Sequence, residues 1–325
     1  MNRFFIIVFY FAAVIVSFWI TGAFYYLSFA APWVRYLCAG IVFVSLLVSL
    51  VKIKRLILSL TLLSLIVLVY LLSFFDPPTN NRKWVLDQEF SPNITIRNNL
   101  ITIKNFRNCS YRSNNDFDVH WETRNLDLDK IIGVDFVVEP FADWRGLAHT
   151  FLTFSFSDGE HVAISVEIRR EQKEEYSVIA GIYWNYEITY IIGDERDLIG
   201  LRANIRKDPV HLYPIKASNN QLKKLFLSML QRANNVNEKP EYYNTLFNTC
   251  STNIARHLKE NFDLHLGLDF RLIFPGYADA IAYDLHLIDT NLSLERARET
   301  FLINSRSQFL DDSKAWSKQI REYKK

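Results

Sequence analysis

Three apolar runs within the first 75 residues constrain this chain more than any other feature. FFIIVFYFAAVIVSFWITGAFYYLSF covers 4–29, a second run extends from about Tyr36 to Val51, and LILSLTLLSLIVLVYLLSFF covers 56–75. A helix needs about 20 apolar residues to cross a bilayer, and each run comes close to or exceeds that length. Pro32 interrupts the first pair, KIKR at 52–55 separates the second, and DPPTNN closes the series with turn formers. A cleaved signal peptide has a single short apolar core, so it does not fit. Three crossings put the two ends of the segment on opposite sides. Arg3, Lys52, Lys54 and Arg55 then mark the cytoplasmic side, against Arg35 alone on the other. The expectation is a membrane anchor over 1–75 with its N-terminus in the cytoplasm. The rest of the chain lies outside the cytoplasm, which in a bacterium means an inner-membrane protein with a periplasmic domain.

Beyond the anchor the sequence reads as a soluble domain rich in Tyr and Phe. A net charge of +2 argues against a nucleic-acid or polyanion partner. The three cysteines, Cys38, Cys109 and Cys250, are too few for a disulfide framework and show no CxxC spacing. The seven histidines are scattered without HExxH, so no metal or other cofactor is expected. Thr79–Val85 reads as a linker, and 93–106 as a hairpin around Asn98-Asn99. Further strands fall over 148–170 and 182–192. Helices are predicted over 218–234, with Leu222, Leu225, Phe226 and Leu230 on one stripe, over 248–262 and over 279–288. The pattern is α+β, a mostly antiparallel sheet with helices on one side, over 76–292. A charged, peripheral C-terminal helix follows over 293–325.

The hairpin at 148–170 brings chemistry to one face. Leu152, Phe154 and Phe156 alternate on one strand, and Val162, Ile164, Val166 and Ile168 on the other. Their apolar faces must coincide. A loop Asp158-Gly159-Glu160 would pair Phe154 with Ile164 and Leu152 with Val166. His149 then stands across from Arg169, with Glu167 its diagonal neighbour. A solvated strand surface is the plain alternative for these polar residues. Cys250, in TLFNTCSTNIARHL, has small polar flanks and opens a helix that Asn248 or Thr249 could cap. Free N–H groups at a helix start stabilise a thiolate and can hold an oxyanion, so Cys250 with a nearby histidine is a recipe for acyl transfer. Two other readings stay open: a small core residue, or a disulfide with Cys109. His257, about two turns further on, reads as surface; His120, His161, His211, His265 and His286 carry no argument.

At this point a resemblance enters. AHTFLTFSF, SVEIRRE, YEITYIIGDERDLIGLRAN, VHLYPI, YYNTLFNTCST and FPGYADAIAYDL, in this order across roughly 82–289, resemble the family of the Lnb N-terminal periplasmic domain. The family is associated with a bacterial lipoprotein N-acyltransferase. The resemblance implies a papain-like fold, permuted so that the base His149 precedes the nucleophile Cys250, with hairpin and Cys helix facing each other across a cleft. It implies a membrane phospholipid as acyl donor and a diacylated lipoprotein as acceptor. Within that frame Glu167 or Asn248 orients His149, Arg169 and Arg170 hold the donor phosphate, and Tyr176 and Tyr190 hydrogen-bond in or beside the cleft. Glu195, Arg196 and Arg202 are assigned to a buried ion network. A tethered cysteine hydrolase and a non-catalytic lipoprotein-binding protein are the alternatives.

Overall fold

Pro32 does not merely end one helix; it opens the next. In the computed structural model, which describes residues 3–262, 264, 269–309 and 313–323, α1 (Arg3–Tyr25) is followed by α2 (Pro32–Lys52), with proline in the first turn where its missing N–H costs nothing. The second run is therefore longer than its apolar stretch. α3 (Arg55–Leu72) runs on through a 3-10 turn to Phe75. The 23 residues of α1 span about 35 Å, enough for a hydrocarbon core of about 30 Å. All three helices are long and apolar enough to cross a membrane. Ile20, Leu46 and Leu58 pack inward, whereas Phe4, Ile7, Phe11 and Leu63 face outward.

The chain divides into two compact units, and the division is not the one the sequence suggests. The anchor unit comprises the residues up to Thr79 together with Tyr176–Tyr186; the second unit comprises 80–175 and 187–325. The inserted segment carries α4 (Val178–Ile182), capped by Ser177. Tyr183 stacks on Tyr26 with ring centroids 5.1 Å apart, and Asn185 Nδ2 donates to the Tyr26 carbonyl at 3.0 Å. Gly22 makes this possible: a Cβ there would lie 2.0 Å from the Tyr183 hydroxyl.

The second unit is α+β. Its strands are β1 (Asn93–Arg97), β2 (Leu100–Arg107), β3 (Ser110–Tyr111), β4 (Phe117–Asp118), β5 (Trp121–Asp127), β6 (Ile131–Pro140), β7 (Ala148–Phe156), β8 (His161–Arg169), β9 (Glu187–Gly193) and β10 (His211–Pro214). The main sheet runs β1-β2-β9-β8-β7-β6-β10, with β5 also on β2. Neighbours are antiparallel except β2 and β9, which meet in parallel where Arg107 faces Gly193. Only glycine fits that approach, since a Cβ on Gly193 would lie 2.5 Å from the Arg107 carbonyl. β1 and β2 form the expected hairpin, with Arg97 opposite Leu100 across Asn98-Asn99.

Helices cover both faces of the sheet, not one. On one face lie α6 (Asn219–Glu238), α7 (Cys250–Phe262) and α8 (Ala278–Asp284), with Phe226 packed on Phe154 and Phe156. The other face carries α5 (Glu195–Gly200), a π-helical turn over Leu201–Arg206, and the C-terminal segment. That segment is two short helices, α9 (Leu294–Phe301) and α10 (Ser313–Gln319), rather than one peripheral helix. Trp316 and Ile320 are fully buried with Val137, Phe151 and Ile191. Arg321 bridges buried Asp135 (2.8 Å) and Glu195 (2.5 Å). Nor is 79–85 a linker: Trp84 is buried, and its indole donates to the Asn80 carbonyl at 2.9 Å.

Candidate active site

The hairpin that carries His149 is offset from the expected register by two residues. Phe154 pairs with Val162, and Leu152 with Ile164. Phe156 N donates to the Glu160 carbonyl at 2.9 Å, which closes the loop over Ser157-Asp158-Gly159, and Gly159 takes φ +84°. A two-residue offset leaves every side chain on its face, so apolar alternation could not distinguish the two registers. The difference matters locally. It sets Ser165 and Glu167, rather than Arg169, beside His149.

His149 Nε2 lies 2.7 Å from Ser165 Oγ and 3.8 Å from Glu167 Oε1. Ser165 Oγ in turn donates to Glu167 Oε1 at 2.8 Å. Glu167 also accepts from Arg202 Nη2 (3.0 Å) and Gln88 Nε2 (3.2 Å). Nδ1 of His149 has no hydrogen-bond partner among the described residues. Burial, reinforced by the Arg202 guanidinium and opposed by Glu167, pushes the imidazole down to about 3, so it is held neutral. Burial alone would raise Glu167, but Arg202 and His149 hold it well below the usual carboxylate range. Arg202 sits over the Phe151 ring at 5.0 Å and pairs with Glu139 at 2.5 Å. Glu139, opposite His149 on β6, is pushed up to about 7 by burial against the pull of Arg202 and Arg206.

Cys250 opens α7. Thr249 is the cap: its Oγ1 accepts from Thr252 N at 3.3 Å. Asn248 braces the approach instead, donating to the Tyr242 carbonyl (2.8 Å) and accepting from Asn253 Nδ2 (2.9 Å). The thiol is buried and its pKa is raised by that burial, against a smaller lowering from the polar groups of Thr150 and Ser251; Glu167 adds to the rise. The thiol is therefore protonated at rest, not the helix-stabilised thiolate expected.

β7 stays paired with β6 as far as Ala148, and β8 with β9 as far as Arg169, but β7 and β8 part beyond Phe151–Ser165. Phe156 donates toward β8, so by the two-residue alternation Thr150 aims its N–H the same way. The strand that would receive it has diverged. His149 projects from the sheet face opposite α7, and no hydrogen bond joins its ring to Cys250 among the described residues.

Other expected site residues lie elsewhere. Arg169 is buried, donating to the carbonyls of Gln88 (3.1 Å) and Glu89 (2.7 Å) and to Asn80 (2.8 Å) over the Trp84 ring, so it is not available for a phosphate. Arg170 pairs through its backbone with Val85 and Gln88. Tyr190 is buried beneath α7, its hydroxyl 3.1 Å from His257 Nε2. Tyr176 belongs to the anchor unit, its ring 6.4 Å from Tyr186. His257 is not a surface residue: Ser228 holds its Nδ1 at 2.7 Å. His161 bonds Ser155, His211 bonds the Arg298 carbonyl, and His265 lies outside the described residues. Cys109 and Cys250 are both free thiols. Cys109 is pushed up to about 12 by burial beside Asp197, which receives two hydrogen bonds from Arg107 at 2.9 Å. The expected ion network around Glu195 and Arg202 is two separate clusters, one with Arg321 and one at His149. Gln88 and Arg202 escaped recognition as site residues because they reach Glu167 from far along the chain, without a local signal.

No curated protein and no solved structure matches the chain. A family model, described as the Lnb N-terminal periplasmic domain, matches residues 117–300, which include β7, β8 and α7 and extend into α9. The match begins and ends later than the 82–289 expected from the motifs. With three apolar helices ahead of it, this is a membrane protein with a periplasmic domain. The chain belongs to the family of the Lnb N-terminal periplasmic domain.

Proposed function

We propose that this protein is a lipoprotein N-acyltransferase that works through a thioester on Cys250. The observation that carries the reading is a buried thiol at the start of α7, a helix that packs on β7, the strand that carries the neutral imidazole of His149. Neutral His149 takes the thiol proton as the sulfur attacks an ester carbonyl of a membrane phospholipid. The S–C bond forms, the ester C–O bond breaks, and the proton passes from His149 to the leaving alkoxide, giving a lysophospholipid. N–H groups at the start of α7 hold the oxyanion. The α-amino group of a diacylglyceryl-modified N-terminal cysteine then attacks the thioester. Its proton moves to His149 and on to the departing sulfur, leaving an N-acylated lipoprotein and the free thiol. Ser165 and Glu167 position the ring. The anchor fits substrates that are themselves held in a membrane. The charges at Arg3 and in KIKR support an N-terminus in the cytoplasm and a domain at the periplasmic face of the inner membrane.

The test is intact-mass spectrometry of an N-terminal lipopeptide from cells that lack their own N-acyltransferase and carry either the native protein or Cys250→Ala. A gain of one acyl chain with the native protein only is the expected result. Release of free fatty acid without that gain would replace transfer by hydrolysis. A gain with both forms would remove Cys250 from the mechanism.

A further inference from the structure

The segment YSVIAGIYWNY, residues 176–186, lies in the chain between β8 and β9 yet belongs to the anchor unit. None of its residues carries a charge, although Glu171, Lys173, Glu174 and Glu175 stand immediately before it. Its two ends are tied together, since Ser177 N donates to the Tyr186 hydroxyl at 2.9 Å. Beyond its stacking on Tyr26, Tyr183 meets Trp19 with ring centroids 6.3 Å apart, and Trp184 stands edge-on to Trp19 at 6.1 Å. The end of α1 marks the level at which the anchor leaves the hydrocarbon. There Tyr25 stacks on Tyr36 at 5.3 Å, Phe29 meets Phe75 at 5.8 Å, and Ser28 donates to Asp76, the first charge after the third span. Aromatic rings gather at such a level in membrane proteins. Trp19 precedes Tyr25 by six residues, about 9 Å along the helix. A ring that touches Trp19 is thus well inside that level.

We propose that 176–186 is a re-entrant element whose partner is the bilayer: Trp184 reaches among the phospholipid acyl chains of the leaflet in which α1 ends, and Ile179 rests against lipid beside it. The inference stands apart from the acyltransferase reading. Backbone at this depth must find its partners within the protein. Ala180 N donates to Ser177 Oγ at 3.2 Å, Gly181 N to the Ser177 carbonyl at 3.1 Å and Tyr183 N to the Ala180 carbonyl at 3.0 Å. Asn185 serves the Tyr26 carbonyl, one that the end of α1 leaves without a partner inside the helix. Trp184 holds φ +56°, left-handed backbone that a bulky residue adopts only where its surroundings impose it. A clasp made solely of protein would bury its apolar side chains, but Ile179 is 56% exposed and Trp184 only half-buried. Lipid covers both without any charge having to enter hydrocarbon. β8, which leads into this segment, carries Ser165 and Glu167, so the strand of the candidate site continues into chain that touches lipid.

The experiment uses the full chain in vesicles of phosphatidylethanolamine and phosphatidylglycerol. In separate proteins the photoreactive p-benzoylphenylalanine replaces Ile179, Phe11 of α1 and Leu100 of β2, all exposed positions whose replacement leaves the packing in place. After irradiation, peptide masses report the addition of one phospholipid. The yield at position 179 should come within about twofold of that at 11 and exceed that at 100 about tenfold or more. A yield at 179 no higher than at 100 overturns the proposal. The second readout is the fluorescence lost on Trp184→Phe, which is the contribution of Trp184. A nitroxide midway along the lipid chain should quench it about threefold or more above iodide in the water. The reverse order overturns the insertion even where lipid adducts form at 179. Cys250→Ala should change neither readout, so lipid contact as expected with no acyl transfer would remove the acyltransferase reading alone.

Discussion

Two opposed influences meet at Cys250. Burial raises the thiol, while the Thr150 and Ser251 amides lower it, and burial prevails. His149, held at about 3, is neutral at any ordinary pH. Both groups rest neutral, as thiol and imidazole, so in the proposed reaction the proton moves during attack and not before it. Iodoacetamide labelling of Cys250, read peptide by peptide to separate it from Cys109, should be slow at neutral pH and rise only above the ordinary thiol value of 9.0. A step in rate near 6.5 would show a preformed ion pair and contradict this. The same imidazole affects stability with a definite sign. The unfolded chain takes up a proton below 6.5, but the fold does not until about 3, so this contribution is present above 6.5 and lost as pH falls between those values. Ser165 is the relay between ring and carboxylate. Ser165→Ala should slow acylation of Cys250 about tenfold to a hundredfold, in the range of supporting hydrogen bonds at other reactive centres. Single-turnover mass spectrometry reads the rate, and an unchanged rate would leave Ser165 with a structural role only.

The β7–β8 hairpin shows how much of a site an element can reveal through its sequence. Alternation placed Ser165, Glu167 and His149 on one face correctly, because side-chain direction has a period of two and survives any even offset. Their mutual distances were not legible, because the loop that sets the offset is chosen by one hydrogen bond, Phe156 to Glu160, among residues that fit either closure. Asn98-Asn99 was legible for the converse reason: a two-residue loop admits one register. The α7 start was read to within two residues from its polar flank. The parting of β7 from β8 beyond Phe151–Ser165 has no sequence signature, since the alternation runs on unchanged through both strands. The anchor segment at 176–186 was equally hidden, because its aromatic residues suit a strand as well as a membrane contact. Gly159 tests the hairpin. At φ +84° an alanine is strained by roughly 1–2 kcal/mol. Gly159→Ala should lower the unfolding midpoint in urea accordingly, and an undiminished midpoint would mean the loop re-forms in another register.

At the scale of the whole molecule, the sheet is finished by residues from the far end of the sequence. Trp316 and Ile320 fill its core, and Arg321 is the counter-charge for Asp135 and Glu195. Removing one member of a buried ionic cluster is costly because the remaining charges stay behind. Arg321→Met should destabilise the domain by about 3–5 kcal/mol, seen as a large fall in the thermal midpoint; a shift of only a degree or two would mean that the carboxylates are solvated or share a proton. The closing role of this segment carries over to biosynthesis. A chain emerges from the ribosome N-terminus first, at about 5–20 residues per second. The anchor helices are available for insertion early, whereas the sheet lacks part of its core and a buried counter-charge until residue 321 has emerged. The anchor is therefore available to its membrane well before the sheet on which α7 packs is complete.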